Sequence, residues 1–161
     1  MLKKLNFNPW LFLSLAAILV DQLTKLWTVA HFNMGEVRVI TSFFNWTLAY
    51  NPGAAFSFLS DANGWQLWFF LGIACVVSLV VLFLLLRTPR QNKWHSIALS
   101  LLLAGALGNV CDRLRLGQVV DFIQWHYQNW YWPTFNLADS FVVTAVIMWL
   151  LEEVFFKKDE Q

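Results

Sequence analysis

The sequence predicts a mainly α-helical membrane protein, with four transmembrane helices and a small extramembrane β-sheet between the first and second. Three observations carry that prediction. The 161 residues are 58% hydrophobic and only 13% charged, about half the ~25% charge of an ordinary soluble domain. Four apolar stretches approach the ~20 residues needed to cross a bilayer. Ten tryptophans, within a 17% aromatic content, suit interfacial belts better than a soluble core. Length suggests one domain, 1–161, and no internal repeat or low-complexity linker divides it.

The first span is expected over about 8–31. Lys3 and Lys4 ahead of the apolar run Pro9–Val20 resemble the start of a signal peptide. No small-x-small cleavage site follows, however, and the apolar pattern continues through Leu23, Leu26, Trp27 and Val29, so a retained helix is expected. In the segment 32–64, Val37–Ile40 and Phe43–Tyr50 are rich in β-branched and aromatic residues and read as short strands. Asn51-Pro52-Gly53 and Asp61-Ala62-Asn63-Gly64 read as turns. The second span, 65–87, carries no charge from Trp65 to Leu86. A basic loop from Arg87 to Lys93 leads into the third span, 94–114. Residues 115–136 read as a second irregular stretch, with Asp121 and the aromatic run Trp125–Trp132. The fourth span, 137–156, is closed by Lys157 and Lys158. Cys75 and Cys111 fall in apolar helical runs; a disulfide between them is the lesser alternative, and buried free thiols are expected.

Charge sets the orientation. Seven of the eleven Lys and Arg residues lie at the amino terminus, the 87–93 loop or the carboxyl terminus. The positive-inside rule places these on the cytoplasmic side. The remaining polar groups then collect at the opposite face. Asp21, Lys25, Asn109, Asp112 and Arg113 fall toward the outer ends of spans one and three, and Asn136, Asp139 and Ser140 at the outer start of span four. Asn51 and Asp121 come from the two outer loops. Five ionisable groups near the spans (Asp21, Lys25, Asp112, Arg113 and Asp139) would together cost roughly 15 kcal/mol unpaired, at ~3 each. A whole domain is stable by only ~5–15 kcal/mol, so these groups must pair, protonate or face water.

Asp121 and Asp139 come from different elements but share one depth. Two carboxylates held close do not both ionise easily, so one keeps a proton while the other acts as base. Between them a water can be activated toward a peptide carbonyl, with no metal, cofactor or covalent nucleophile. The alternative is that each Asp merely caps a helix or pairs with Arg113. For Asp21 the i,i+4 spacing favours a salt bridge with Lys25, the alternative being that the pair holds a loop or the substrate backbone. Arg113 suits a carboxylate of the site, a substrate head group or Asp112. Asn51 and Asn136 have turn and N-cap roles open to them. Gly105 and Gly108 suit close helix packing.

Other chemistries fare worse. His31, His95 and His126 lack metal-ligand spacing, and neither Ser57 nor Ser140 has a suggestive His partner. A net charge of +1 offers no basic face for nucleic acid. A proton-coupled transporter would spread polar groups through the membrane depth, whereas the cytoplasmic halves here are nearly devoid of them. A non-enzymatic assembly factor would tolerate alanine at Asp121 or Asp139.

Five motifs follow one another along nearly the whole chain: Asp21-Gln22-Leu23-Thr24-Lys25, Asn51-Pro52-Gly53-Ala54-Ala55-Phe56, the run from Gly105 to Arg113, Val119-Val120-Asp121-Phe122-Ile123, and Phe135-Asn136-Leu137-Ala138-Asp139-Ser140. In that order they resemble the lipoprotein signal peptidase (signal peptidase II) family. The resemblance implies an intramembrane aspartyl endopeptidase of the bacterial inner membrane, both termini cytoplasmic and the active site near the periplasmic leaflet. It implies Asp121 and Asp139 as the catalytic dyad, with Asp21, Lys25, Asn51, Gly53, Asn109, Arg113 and Asn136 binding substrate or supporting the site. Asp112 keeps a structural role. The implied substrate is a diacylglyceryl-modified prolipoprotein, cut before its lipid-bearing cysteine. The implied partners are that substrate, membrane lipid and the cyclic peptide inhibitor globomycin, with the enzyme a monomer. Ala104 stands where a second glycine is expected, which bears on helix packing.

Overall fold

Each helix starts and stops where local chemistry allows. The computed structural model describes residues 8–53 and 64–156. Helix α1 (Leu11–His31) leads into strands β1 (Val37–Val39) and β2 (Phe44–Asn51), then α2 (Trp65–Arg87) and α3 (Lys93–Leu116). Strands β3 (Val119–Tyr127) and β4 (Trp130–Tyr131) precede α4 (Leu137–Leu151), which runs on into a π-helical turn, Glu152–Phe156. The Asn92 side chain caps α3 by accepting the His95 N–H at 3.3 Å, and Gly117 ends it with φ +73°, a left-handed conformation that glycine adopts without Cβ strain. Asn136 begins α4 in a reciprocal capping box with Asp139.

Helix α3 is the hub, packing against α1, α2 and α4. On one side Leu99 and Leu103 meet Val81 and Leu85 of α2. On the other, Gly105 and Gly108 admit close neighbours. A Cβ on Gly105 would collide with the Ala138 carbonyl oxygen and lie 2.6 Å from Val142 Cγ2. One on Gly108 would lie 2.7 Å from Asp21 Oδ2. Ala104 is completely buried, so its methyl group is accommodated at this point of α3. Away from α3 the helices expose Leu15, Leu19, Leu23, Val76, Leu79, Val143 and Ile147, faces suited to lipid rather than water. Three helices, α1, α2 and α3, are long and apolar enough to cross a membrane, and the chain is a multi-pass membrane protein.

The sheet corrects the sequence reading. It has four antiparallel strands in the order β1-β2-β3-β4, so half of it comes from the stretch expected to be irregular, not only from the segment between α1 and α2. The period-two signal is missing in β3 because Val119, Val120, Asp121 and Phe122 are all buried, and a strand covered on both faces shows no alternation. Pairing of β2 with β3 slips between Trp46 and Ala49, setting Thr47 and Leu48 opposite Phe122 alone. This bulge lies beside the Ala49–Asp121 pair, where an extra residue bends the strand and re-aims neighbouring side chains.

Two further expectations change. The fourth span, read as 137–156, is α-helical for 15 residues only, short of the ~20 that span a bilayer. Beyond Leu151 the ladder becomes π-helical, at the point where Glu152 accepts a 2.7 Å hydrogen bond from His95 Nδ1. Cys75, on α2, and Cys111, on α3, are free but exposed, not buried. Ala54, Ala55, Phe56, the Asp61–Asn63 turn, Lys3, Lys4, Lys157 and Lys158 lie outside the described residues.

Candidate active site

The polar residues collect in two connected layers. In the lower one the Lys25 ammonium, completely buried, gives its three protons to Asp21 Oδ2 at 2.9 Å, Asp112 Oδ2 at 2.9 Å and Asn109 Oδ1 at 3.1 Å. Both carboxylates are also fully buried. Their other lone pairs are met by Gln22 Nε2, which donates to Asp21 Oδ2 and Asp112 Oδ1, both at 3.1 Å, and by two backbone donors. Ala138 N donates to Asp21 Oδ1 at 2.9 Å, and Val120 N to Asp112 Oδ2 at 3.1 Å. A buried ion cluster is tolerable only when its hydrogen-bonding capacity is filled in this way.

The upper layer holds the two remaining carboxylates. Asp121, on β3, is 1% exposed. It accepts from Asn136 Nδ2 at 2.7 Å and Asn51 Nδ2 at 3.2 Å. Asp139, in the first turn of α4, accepts from Asn109 Nδ2 at 2.8 Å and from the Asn136 backbone N–H at 3.2 Å. In return Asp139 N donates to Asn136 Oδ1 at 3.0 Å. The second amide proton of Asn136 reaches Asn109 Oδ1 at 3.3 Å. Asn136 therefore touches Asp121 and Asp139 at once. Burial, and after it the charge of Asp139, pushes the Asp121 carboxyl up to about 7, against the opposing pull of Asn136, Asn51 and Lys25.

A third side is built from loop and helix. Asn51 Oδ1 accepts from Gly53 N at 3.0 Å, the side-chain turn that Asn favours before glycine. The Gly53 carbonyl accepts from an Arg113 Nη at 3.0 Å. The Arg113 guanidinium also lies 5.5 Å from the Phe70 ring of α2. Arg113 thus serves the upper layer, while Asp112, one residue earlier and turned about a quarter of the way around the helix, serves Lys25. All nine residues singled out from the sequence fall in this one network: Asp21, Lys25, Asn51, Gly53, Asn109, Arg113, Asp121, Asn136 and Asp139. Of the open pairings, Asp21 bridges Lys25, Asn136 caps α4, and Asp139 both belongs to that cap and faces the site.

Sequence reasoning missed Gln22, Thr28 and Trp46. Gln22 was legible as a polar neighbour of Asp21 inside an apolar helix. Thr28 and Trp46 carried no such mark. The indole Nε1 of Trp46 donates to Thr28 Oγ1 at 3.0 Å, and its ring stacks on Phe122 with centroids 5.1 Å apart. Together they fasten the Asp121 strand to α1.

The family model for signal peptidase (SPase) II matches residues 13–155, almost the whole chain. The chain belongs to the signal peptidase II family. It is 49% identical over 152 residues to the lipoprotein signal peptidase of Pseudomonas aeruginosa, covering 93% of this chain and 90% of that one. It is 47% identical over 149 residues to the lipoprotein signal peptidase of Acinetobacter baylyi, covering 92% and 83%. Its fold superposes on a solved structure described as "Bacterial membrane enzyme structure by the in meso method at 2.3 A resolution", with a TM-score of 0.82 at 32% identity over 100% of this chain and 98% of that one. The carboxylates of Asp121 and Asp139 thus sit in a signal peptidase II scaffold, a family of membrane peptidases.

Proposed function

We propose that the chain is an intramembrane aspartyl endopeptidase that removes the signal peptide from diacylglyceryl-modified prolipoproteins, cutting before the lipid-modified cysteine. One observation carries this reading: Asn136 bonds Asp121 through its amide and Asp139 through a reciprocal cap, so two carboxylates from different elements meet at one small side chain. Membership in the signal peptidase II family supports the substrate class.

Asp121, the more buried of the two and raised to about 7, carries the shared proton. Asp139, less buried and taking N–H donors at both oxygens, is the base. Asp139 removes a proton from water as the oxygen attacks the scissile carbonyl carbon. Asp121 gives its proton to the carbonyl oxygen, leaving a tetrahedral diol. Asp139 then passes its proton to the departing amine nitrogen while Asp121 recovers one from the diol, and the C–N bond breaks. Both groups return to their starting states.

The supporting residues divide the remaining work. Asn51, Gly53 and Arg113 form a polar wall for the substrate backbone, and Asp21, Lys25, Asn109 and Asn136 hold the carboxylates. The peptidase unit is the single domain 1–161. Its fourth crossing is α4 with its π-helical extension, 15 α-helical residues followed by five π-helical ones, close to the ~20 that span a bilayer. Lys and Arg asymmetry supports cytoplasmic termini in the inner membrane and an active site at the periplasmic leaflet. There a lipid-anchored substrate enters sideways with its acyl chains still in the bilayer. The exposed Trp130 of the β3–β4 hairpin is placed to close over it, and a photocrosslinker there should capture substrate. The enzyme acts as a monomer, and globomycin blocks it.

Cleavage of a lipidated pro-protein in proteoliposomes tests the assignment. Asp121→Asn and Asp139→Asn should each lose at least ~10³-fold in kcat. Full activity in either variant removes the dyad.

A further inference from the structure

We propose that Lys25 is the positioning residue of the carboxylate pair: its ammonium fixes the amide that holds Asp139 and, through Asp21 and Asp112, the backbone just before each of the two aspartates. The inference rests on Asp139 acting as the base.

Three arms leave Lys25, and each ends next to the chemistry. Asp21, 2.9 Å from the ammonium, accepts the N–H of Ala138, the residue immediately before Asp139. Asp112, also 2.9 Å away, accepts the N–H of Val120, immediately before Asp121. The third arm is Asn109, which takes the last ammonium proton on Oδ1 and donates from Nδ2 to Asp139 Oδ1 at 2.8 Å.

That third arm is directional. An asparagine side chain is nearly symmetric in shape, so an Asn between two polar neighbours can present either end. An ammonium has three donors and no acceptor. With two of its protons held by carboxylates, the third requires an oxygen, which, together with the Asn136 amide that donates to the same atom at 3.3 Å, turns the Asn109 carbonyl toward Lys25 and the NH2 toward Asp139. In the flipped state, two donors would face each other at Lys25, and a carbonyl oxygen would face the Asp139 carboxylate. The charge on Lys25 also polarises the amide it holds, which strengthens the bond Asn109 gives to Asp139. Lys25 itself is completely buried and already uses all three donors, so it has none left for a substrate.

Removing Lys25 alone would strand two buried carboxylates, so the test neutralises the cluster together: Lys25→Met with Asp21→Asn and Asp112→Asn. Each introduced Asn oxygen can still accept the Ala138 or Val120 N–H, which leaves mainly the Asn109 arm cut. Steady-state cleavage of a lipidated pro-peptide by this triple variant should show kcat down ~10²-fold, the cost of a small misplacement of a reacting group, with KM within threefold of wild type. The same triple change made on an Asn109→Ala background should cost less than threefold further, because its effect runs through that amide. A triple variant with wild-type kcat overturns the proposal, as does a rise in KM at unchanged kcat. Full additivity with Asn109→Ala overturns it as well. Should the triple variant not fold, Asn109→Ala alone decides, since wild-type kcat there shows that the amide arm, to which the loss of kcat is assigned, does not position Asp139. Asp121→Asn and Asp139→Asn run alongside. If either of these is active the dyad reading has failed; if both are inactive while the triple variant is unimpaired, only the positioning role has.

Discussion

A single methyl group at Gly105 should impair catalysis far more than stability. Its Cβ would stand 2.6 Å from Val142 Cγ2 and against the carbonyl oxygen of Ala138. Val142 can rotate away, but the carbonyl belongs to the α4 backbone one residue before Asp139. Restoring an ordinary ~3.5 Å contact requires α4 to retreat from α3 by about 1 Å. The Asn109–Asp139 hydrogen bond, 2.8 Å long and running between those two helices, would then stretch beyond hydrogen-bonding range. Overpacking costs ~1–3 kcal/mol, of which up to ~1 kcal/mol is returned by the better helix propensity of alanine. At ~2–4 °C per kcal/mol for a chain of this size, the melting temperature should fall by no more than ~12 °C. Displacing a reacting group by about 1 Å, however, costs ~10²-fold in rate. Gly72→Ala is the control, because no atom of the described residues lies within 4 Å of its added Cβ; that variant should melt no lower than wild type and cleave normally. Thermal unfolding in detergent and steady-state kinetics measure both quantities. A Gly105→Ala enzyme with kcat within threefold of wild type would refute the claim that the α3–α4 contact sets the position of Asp139.

Other consequences follow from the same geometry. With Asp121 raised to about 7, kcat/KM should fall about tenfold per pH unit above that value as the proton donor is lost; a flat profile to about pH 9 would exclude Asp121 as the acid. The raised value means that protonated Asp121 contributes stability complete below its ordinary 3.8 and lost as pH rises through about 7. Melting temperature should decline across that window more steeply in wild type than in Asp121→Asn. Thr28→Val leaves the Trp46 indole N–H without its acceptor, which should destabilise by ~1–3 kcal/mol, visible as a lower melting temperature. Asn136→Ala removes a helix cap worth ~1 kcal/mol together with the bond to Asp121, so its loss of kcat should far exceed its loss of stability.

What the sequence encodes legibly is depth along the membrane normal. A span's ends are marked by composition, so Asp21, Lys25, Asn109, Arg113 and Asp139 could be assigned to one level before any helix was packed. Rotation about the helix axis is not marked in that way. Whether Arg113 meets Asp112 or Gly53 depends on where α3 presents each side chain, and that is decided by the glycines facing α4 and Asp21 and by the Leu99 and Leu103 face against α2, contacts between elements far apart in the chain. Strand β3 was illegible for a related reason: its burial comes from neighbours on both sides rather than from its own alternation. The cap at Asp139 and its proposed catalytic role are compatible for the same cause. Asp139 Oδ2 and the Asp139 backbone N–H complete the Asn136 cap while Oδ1 takes the bond from Asn109, so the helix start itself aims the carboxylate. A cap fixes one rotamer of Asp139, and a base needs one fixed rotamer. The hydrogen bonds between Asn136 and Asp139 that begin α4 therefore also hold the carboxylate in the single rotamer the proposed base requires.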